Sequence, residues 1–150
     1  MPIDVILIAA VTVDGFIARN HLEVTNWSKD LTLFKKQTTG FPVIMGSNTY
    51  KTLHQQLERR EMIIVNRNDC PKNILEQLNV ERCFVIGGGK TYSRFSSFLT
   101  HLYITPHPLI FGTGVRLFTD PVAELSLKFK ALIPVDKKVG IYQYQYIVDK

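Results

Sequence analysis

Three consecutive glycines, Gly87, Gly88 and Gly89, follow the apolar run Cys83-Phe84-Val85-Ile86 and precede Lys90-Thr91-Tyr92. An apolar strand, a corner without side chains and a helix start form the building unit of a parallel α/β sheet. Such a corner also lets an anionic group approach backbone N–H groups, because no Cβ blocks it and a helix N-terminus favours negative charge. Taken alone, the corner fits a tight connection equally well.

The same order recurs along the chain. Residues 3–11 are nearly all apolar and rich in β-branched types, which predicts a strand buried on both faces. A loop over residues 12–27 follows, and Asn26 or Ser28 is the expected cap of a helix reaching about residue 39, closed by Gly40. Residues 41–45 predict a second strand, and Gly46-Ser47-Asn48-Thr49 opens a helix to about Leu57. A third strand is expected at 61–65, then a short helix from Pro71 to about Leu78. The strand before the glycines feeds a helix to about Phe98, and residues 101–105 give another strand, broken by Pro106-His107-Pro108. Two late segments, 127–134 and 140–148, read as antiparallel strands.

At 150 residues the chain suits one domain, residues 1–150, with a substantial core. No apolar run approaches the ~18 residues of a membrane span, so no membrane association is expected. Cys70 and Cys83 are too few for a disulfide framework, which points to a cytoplasmic, reducing location. The four histidines show no metal-ligand spacing. The net charge of +5 is scattered, without a basic block or an arginine–aromatic stripe. It fits a small polyanionic ligand better than nucleic acid.

In open α/β sheets ligands collect beyond the carboxyl ends of the strands. Those ends carry Asp14-Gly15-Phe16-Ile17-Ala18, then Gly46, Ser47 and Thr49, then Asn66 and Arg67, and finally the glycines with Lys90 and Thr91. Two helix starts and two cations on one rim suit a dinucleotide bearing several phosphates, with Arg67 matched to a 2′-phosphate. Asp30 is the candidate acid. A carboxyl turned into an apolar cleft gains a raised pKa, whereas one at a helix start is a dipole partner, and periodicity does not choose between them.

Five motifs in order resemble the dihydrofolate reductase family over almost the whole chain. They are Ile8-Ala9-Ala10 with the Asp14–Ala18 run, Trp27 with Asp30-Leu31-Thr32-Leu33-Phe34, Pro42-Val43-Ile44-Met45-Gly46-Ser47-Asn48-Thr49-Tyr50, Val85-Ile86-Gly87-Gly88-Gly89-Lys90-Thr91-Tyr92, and Leu102-Tyr103-Ile104-Thr105. The resemblance implies a three-layer α/β fold whose mostly parallel central sheet ends in antiparallel edge strands. It also implies an oxidoreductase that reduces 7,8-dihydrofolate to tetrahydrofolate with NADPH, hydride going to pterin C6 and a proton to N5. Asp30, Thr105 and Trp27 would form the catalytic group. Ile8, Leu31, Phe34 and Leu57 would hold the pterin and benzoyl rings, and Arg60 the substrate carboxylate. Ala10, Ile17, Gly46, Ser47, Thr49, Asn66 and Arg67 would contact the cofactor. So would Ile86, Gly88, Gly89, Lys90, Thr91 and Tyr92, with a cis peptide between Gly87 and Gly88.

Two departures stand out. Ser47 replaces the family's usual phosphate-binding arginine, and Trp27 lies only three residues before Asp30. In addition, Pro106 to Phe118 is similar to the corresponding segment of the riboflavin-pathway pyrimidine reductases. The alternative activity is therefore NADPH-dependent reduction of a ribosylaminopyrimidine phosphate. Both a monomer and a homodimer are compatible with this mixture.

Overall fold

The computed structural model describes residues 1–53, 57 and 59–150. Its first half contains strands β1 (Asp4–Thr12), β2 (Phe16–Ala18), β3 (Val43–Gly46) and β4 (Met62–Val65), with helices α1 (Leu31–Thr38), α2 (Ser47–Leu53) and α3 (Pro71–Glu76). The second half adds β5 (Arg82–Gly87), α4 (Gly89–Phe95), β6 (His101–His107), β7 (Val115–Arg116), β8 (Ser126–Asp136) and β9 (Ile141–Asp149). Seven strands form one sheet in the order β4-β3-β5-β1-β6-β9-β8, and β2 pairs with β7 in a small second sheet. The pairs from β4 through β6 are parallel, whereas β9 and β8 close the edge antiparallel. This is the expected α/β architecture, and the Gly87–Gly88 peptide is cis.

The apolar run at the start of the chain becomes the centre of the sheet. Val5, Leu7, Ala9 and Val11 point to one face, where they meet Leu75, Phe95 and Leu99. Ile6 and Ile8 point to the other, against Met45, Leu57 and Phe84. Helices cover both faces, so alternation gives way to an unbroken apolar strand.

Two local expectations need correction, and a third lies partly outside the described residues. Helix α1 starts at Leu31 with Asp30 as its N-cap residue, so neither Asn26 nor Ser28 caps it. Strand β6 continues through Pro106 to His107 instead of stopping at Thr105. The proline is tolerated because β9 pairs with β6 only from His101 to Ile104, which leaves no ladder bond for Pro106 to lose. The expected helix continuation from Leu53 to Leu57 runs through residues 54–56, outside the described residues.

Strands β2 and β7 were invisible in the sequence because they are short and joined across about a hundred residues. They draw residues 12–18 against 107–116. The Asp14 carboxylate accepts hydrogen bonds from Thr12 Oγ1 (2.6 Å), Phe111 N (3.2 Å) and Gly112 N (2.8 Å). Gly114, at φ +148°, lies so close to Ala18 that a Cβ would collide with its carbonyl oxygen. The two loops interlock.

That interlock makes a graded prediction. Gly114→Ala meets both strain and backbone collision and should destabilise the fold by about 2 kcal/mol or more. Gly112→Ala, at φ +76° with open space around it, should cost about 1 kcal/mol. Urea midpoints of the two variants measure the difference.

Candidate active site

A cleft of about 590 Å³ opens at the carboxyl ends of β1, β3 and β5, the position the topology favours. Its apolar end is formed by Ile8 from β1, Leu31 and Phe34 from α1, Leu53 from α2, and Leu57. Its polar end is formed by Thr49, Arg67, Lys90, Thr91 and Arg94 with the glycine corner. Strand β4, which delivers Arg67, lies three strands from β1, or roughly 14 Å across the sheet. The site is therefore elongated, with opposite chemistry at its two ends.

Asp30 is the titratable group of the apolar end. Its residue is only 8% exposed, and its side chain makes no capping hydrogen bond to its own helix. Burial raises the carboxyl pKa above its ordinary value, and this influence outweighs the nearby His107, Thr105 and Ser28, which lower it. Of the two readings open from sequence, the carboxyl in an apolar slot is the one realised. Thr105 does not line the cleft; it lies behind it, fully buried. Its Oγ1 makes no hydrogen bond of normal geometry, although its dipole still counts among the influences on Asp30. Ser28, expected as a helix cap, faces the same carboxyl.

The glycine corner divides its tasks. A Cβ on Gly88 would meet nothing nearer than Thr49 Oγ1 at 3.9 Å and Ile17 Cδ1 at 4.0 Å, so that surface is open. Gly89 differs: a Cβ there would strike the Arg116 carbonyl and the Thr119 side chain. Its bareness is demanded by the β7 segment as well as by any ligand. On Gly46 a Cβ would lie 2.9 Å from Thr91 Oγ1, so β3 and α4 approach as closely as glycine allows. Tyr92, expected at the cofactor, donates its hydroxyl to the Ile8 carbonyl (2.7 Å) and supports the floor of the cleft.

Arg67 and Lys90 are exposed on the cleft rim and have no hydrogen-bond or ion-pair partner among the described residues. Arg94, absent from the sequence expectations, donates to the carbonyls of Asn66 and Asp69, and so fixes the turn that presents Arg67. Open glycine backbone beside free cations fits a phosphorylated dinucleotide. Asn66 lies outside the lining residues, in that turn, with its N–H bonded to Asp69 Oδ2 at 2.7 Å. Arg60 is also outside the lining residues. Its guanidinium is anchored at the end of α1, on Thr38 Oγ1 (2.7 Å), the Lys35 carbonyl (3.2 Å) and Thr39 Oγ1 (3.3 Å). The remaining expected residues, from Ala10 and Ile17 to Ser47 and Ile86, line the cleft.

A flap over residues 19–28 closes one side. Glu23 takes Arg19 Nη1 at 2.8 Å and Trp27 Nε1 at 3.2 Å. Trp27 stands edge-on to His107 (5.2 Å) and Phe111 (5.3 Å), and Arg19 lies over the Phe111 ring at 4.2 Å. Sequence gave no sign of His107 here beyond its place in a proline-flanked strand end.

The Asp30 environment sets a pH dependence of stability. Because burial raises the folded-state pKa, the folded form holds the proton more tightly than the unfolded one. Stability is then lost as pH climbs above the ordinary value of 3.8. Asp30→Asn should therefore be more stable than the parent at pH 7, with the gain vanishing below pH 3.8, as read from urea unfolding at both pH values.

Comparison with known proteins follows the same geometry. The sequence model of dihydrofolate reductase matches residues 4–108. Dihydrofolate reductase HdrB of Haloferax volcanii is 29% identical over 122 residues, covering 67% of this chain and 63% of that enzyme. The structure of Enterococcus faecalis dihydrofolate reductase, complexed with NADP(H) and RAB-propyl, superposes with a TM-score of 0.78 at 18% identity. The match covers 98% of this chain and 97% of that one. A putative riboflavin biosynthesis protein from Shewanella sp. PV-4 gives 0.67 at 17% identity, over 98% and 99% of the two chains. At these identities the two structures establish the fold. The sequence match runs from the first central strand to the end of β6, across the residues that build the cleft, and this chain belongs to the dihydrofolate reductase family.

Proposed function

We propose that this chain, acting as one domain over residues 1–150, reduces 7,8-dihydrofolate to tetrahydrofolate with NADPH. The observation that carries the reading is the Asp30 carboxyl, buried at the apolar end of a cleft whose other end is open glycine backbone flanked by Arg67 and Lys90. Two free cysteines, Cys70 exposed and Cys83 buried, fit a reducing cytoplasmic setting.

When bound, the dihydronicotinamide supplies the hydride. The protein supplies orientation, dryness and a proton. Ile8, Leu31, Phe34 and Leu57 grip a flat heterocycle, and Trp27 closes the flap side. Asp30 pairs with the ring's amino and amide edge. Its raised pKa keeps a proton available closer to neutrality than an exposed aspartate could, and Asp30 so assists the protonation of N5. Arg60, fixed on the end of α1, meets the substrate's α-carboxylate where the tail leaves the cleft. Ala10, Ile17, Thr49 and Thr91 shape the cofactor groove, and Arg67 with Lys90 receives the 2′-phosphate in the absence of an arginine at Ser47.

Two measurements test this. Asp30→Asn should lower turnover of dihydrofolate at neutral pH about 10²-fold or more while NADPH binding is little changed. An unchanged rate removes the acid. Arg67→Ala should weaken NADPH about tenfold more than NADH in fluorescence titrations, as expected for one charge-assisted contact. Equal losses remove the phosphate role.

Reduction of a ribosylaminopyrimidine phosphate is the second reading. It is favoured by the Asp14–Gly112 interlock, which lies in the segment similar to the pyrimidine reductases. NADPH consumption with each substrate in turn separates the two.

A further inference from the structure

We propose that His107 is the positioning residue of the Asp30 carboxyl, holding it through the Lys29 amide as a neutral imidazole protonated on Nδ1. The proposal rests on the reading of Asp30 as the acid of the site.

His107 ends β6 and is only 2% exposed. Its Nδ1 lies 2.8 Å from the Thr105 carbonyl oxygen, and its Nε2 lies 3.0 Å from the Lys29 backbone nitrogen. A carbonyl can only accept and an amide N–H can only donate. The hydrogen is therefore on Nδ1 and the lone pair on Nε2. An imidazolium would point an Nε2–H at the Lys29 N–H, donor against donor. The edge-on contact with Trp27, at 87°, fixes the plane of the ring from the side.

The location gives this geometry its meaning. The bond from Lys29 to His107 spans 78 positions and joins the residue before Asp30 to the central sheet. It ties the segment between Trp27 and Asp30 to β6 through the backbone. Asp30 has no capping bond to hold its own side chain, and Thr105 Oγ1 behind it makes no hydrogen bond of normal geometry. The hydroxyls of Thr105 and Ser28 bear on the carboxyl itself, and His107 fixes the backbone that presents it to them. The charged groups around the imidazole are few. Asp30 is close enough to couple to it, while Asp14 and Arg19 are engaged on Phe111 and Glu23 on Trp27. The ring thus also carries the acid's neighbourhood into contact with the flap.

Three variants and one spectrum test the proposal. His107→Phe keeps a ring beside Trp27 and removes both hydrogen bonds. It should lower kcat for dihydrofolate about tenfold to 10²-fold, the scale of a misplaced catalytic group, while KM and NADPH affinity change much less. His107→Gln can offer an oxygen to the Lys29 N–H and an N–H to the Thr105 carbonyl, and should recover most of the loss. Long-range ¹H–¹⁵N spectra of the parent, assigned against His107→Gln, should show a neutral ring protonated on Nδ1 at neutral pH. An Nε2–H tautomer or an imidazolium overturns the proposal even where a variant folds poorly. Parental kcat in His107→Phe, with Asp30→Asn inactive, overturns the role of His107 alone. Full turnover in Asp30→Asn overturns the acid assignment and the role of His107 with it.

Discussion

Covering both faces of β1 is the constraint from which the rest of the structure follows. Every residue from Val5 to Ala9 is less than a tenth exposed, so helices must pack on each side and strands must flank each edge. Those demands place β5 and β6 in parallel beside it and send their carboxyl ends to one rim. At Ala9 and Ala10, where the strand reaches the cleft, small side chains leave a gap that larger ones would fill. The cleft is that gap.

Within it, the protein tolerates one expensive group. A carboxyl this buried is destabilising when ionised, and the hydroxyls of Thr105 and Ser28 compensate only in part. Such a residue opposes stability and suits proton transfer, because the same desolvation that disfavours its charge keeps its proton at hand. Much of the surrounding architecture serves to hold that carboxyl in an unfavourable place. The Tyr92 hydroxyl ties α4 to the Ile8 carbonyl, and the Lys29 amide ties the start of α1 to β6.

Much of this could be read from the chain before its coordinates. Strands β1, β3, β4 and β5 were legible because each is a short apolar run ended by glycine or polar residues, and their carboxyl ends named most of the cleft. What escaped depended on contacts distant in sequence. Strands β2 and β7 have two or three residues each and acquire extended structure only by pairing with one another. His107 looked like a strand breaker because its prolines speak locally, whereas its partner lies 78 residues away. Arg94 carried no motif and matters through two carbonyls on another loop. Gly89 was read as room for a phosphate, yet its nearest neighbours belong to Arg116 and Thr119. Asn66 was read as a ligand contact because it follows a strand, and the same place in the chain makes it part of the turn that presents Arg67.

The sheet order has a consequence for how the molecule is made. Among the strands of this sheet the earliest in chain order is the innermost one, and its two neighbours are residues 82–87 and 101–107. Until those neighbours are made this greasy nonapeptide has nothing to zip against, a situation that slows collapse and invites intermolecular sticking. Nascent chains stalled before residue 82 should be clients of holding chaperones, and release from them should track the emergence of β6.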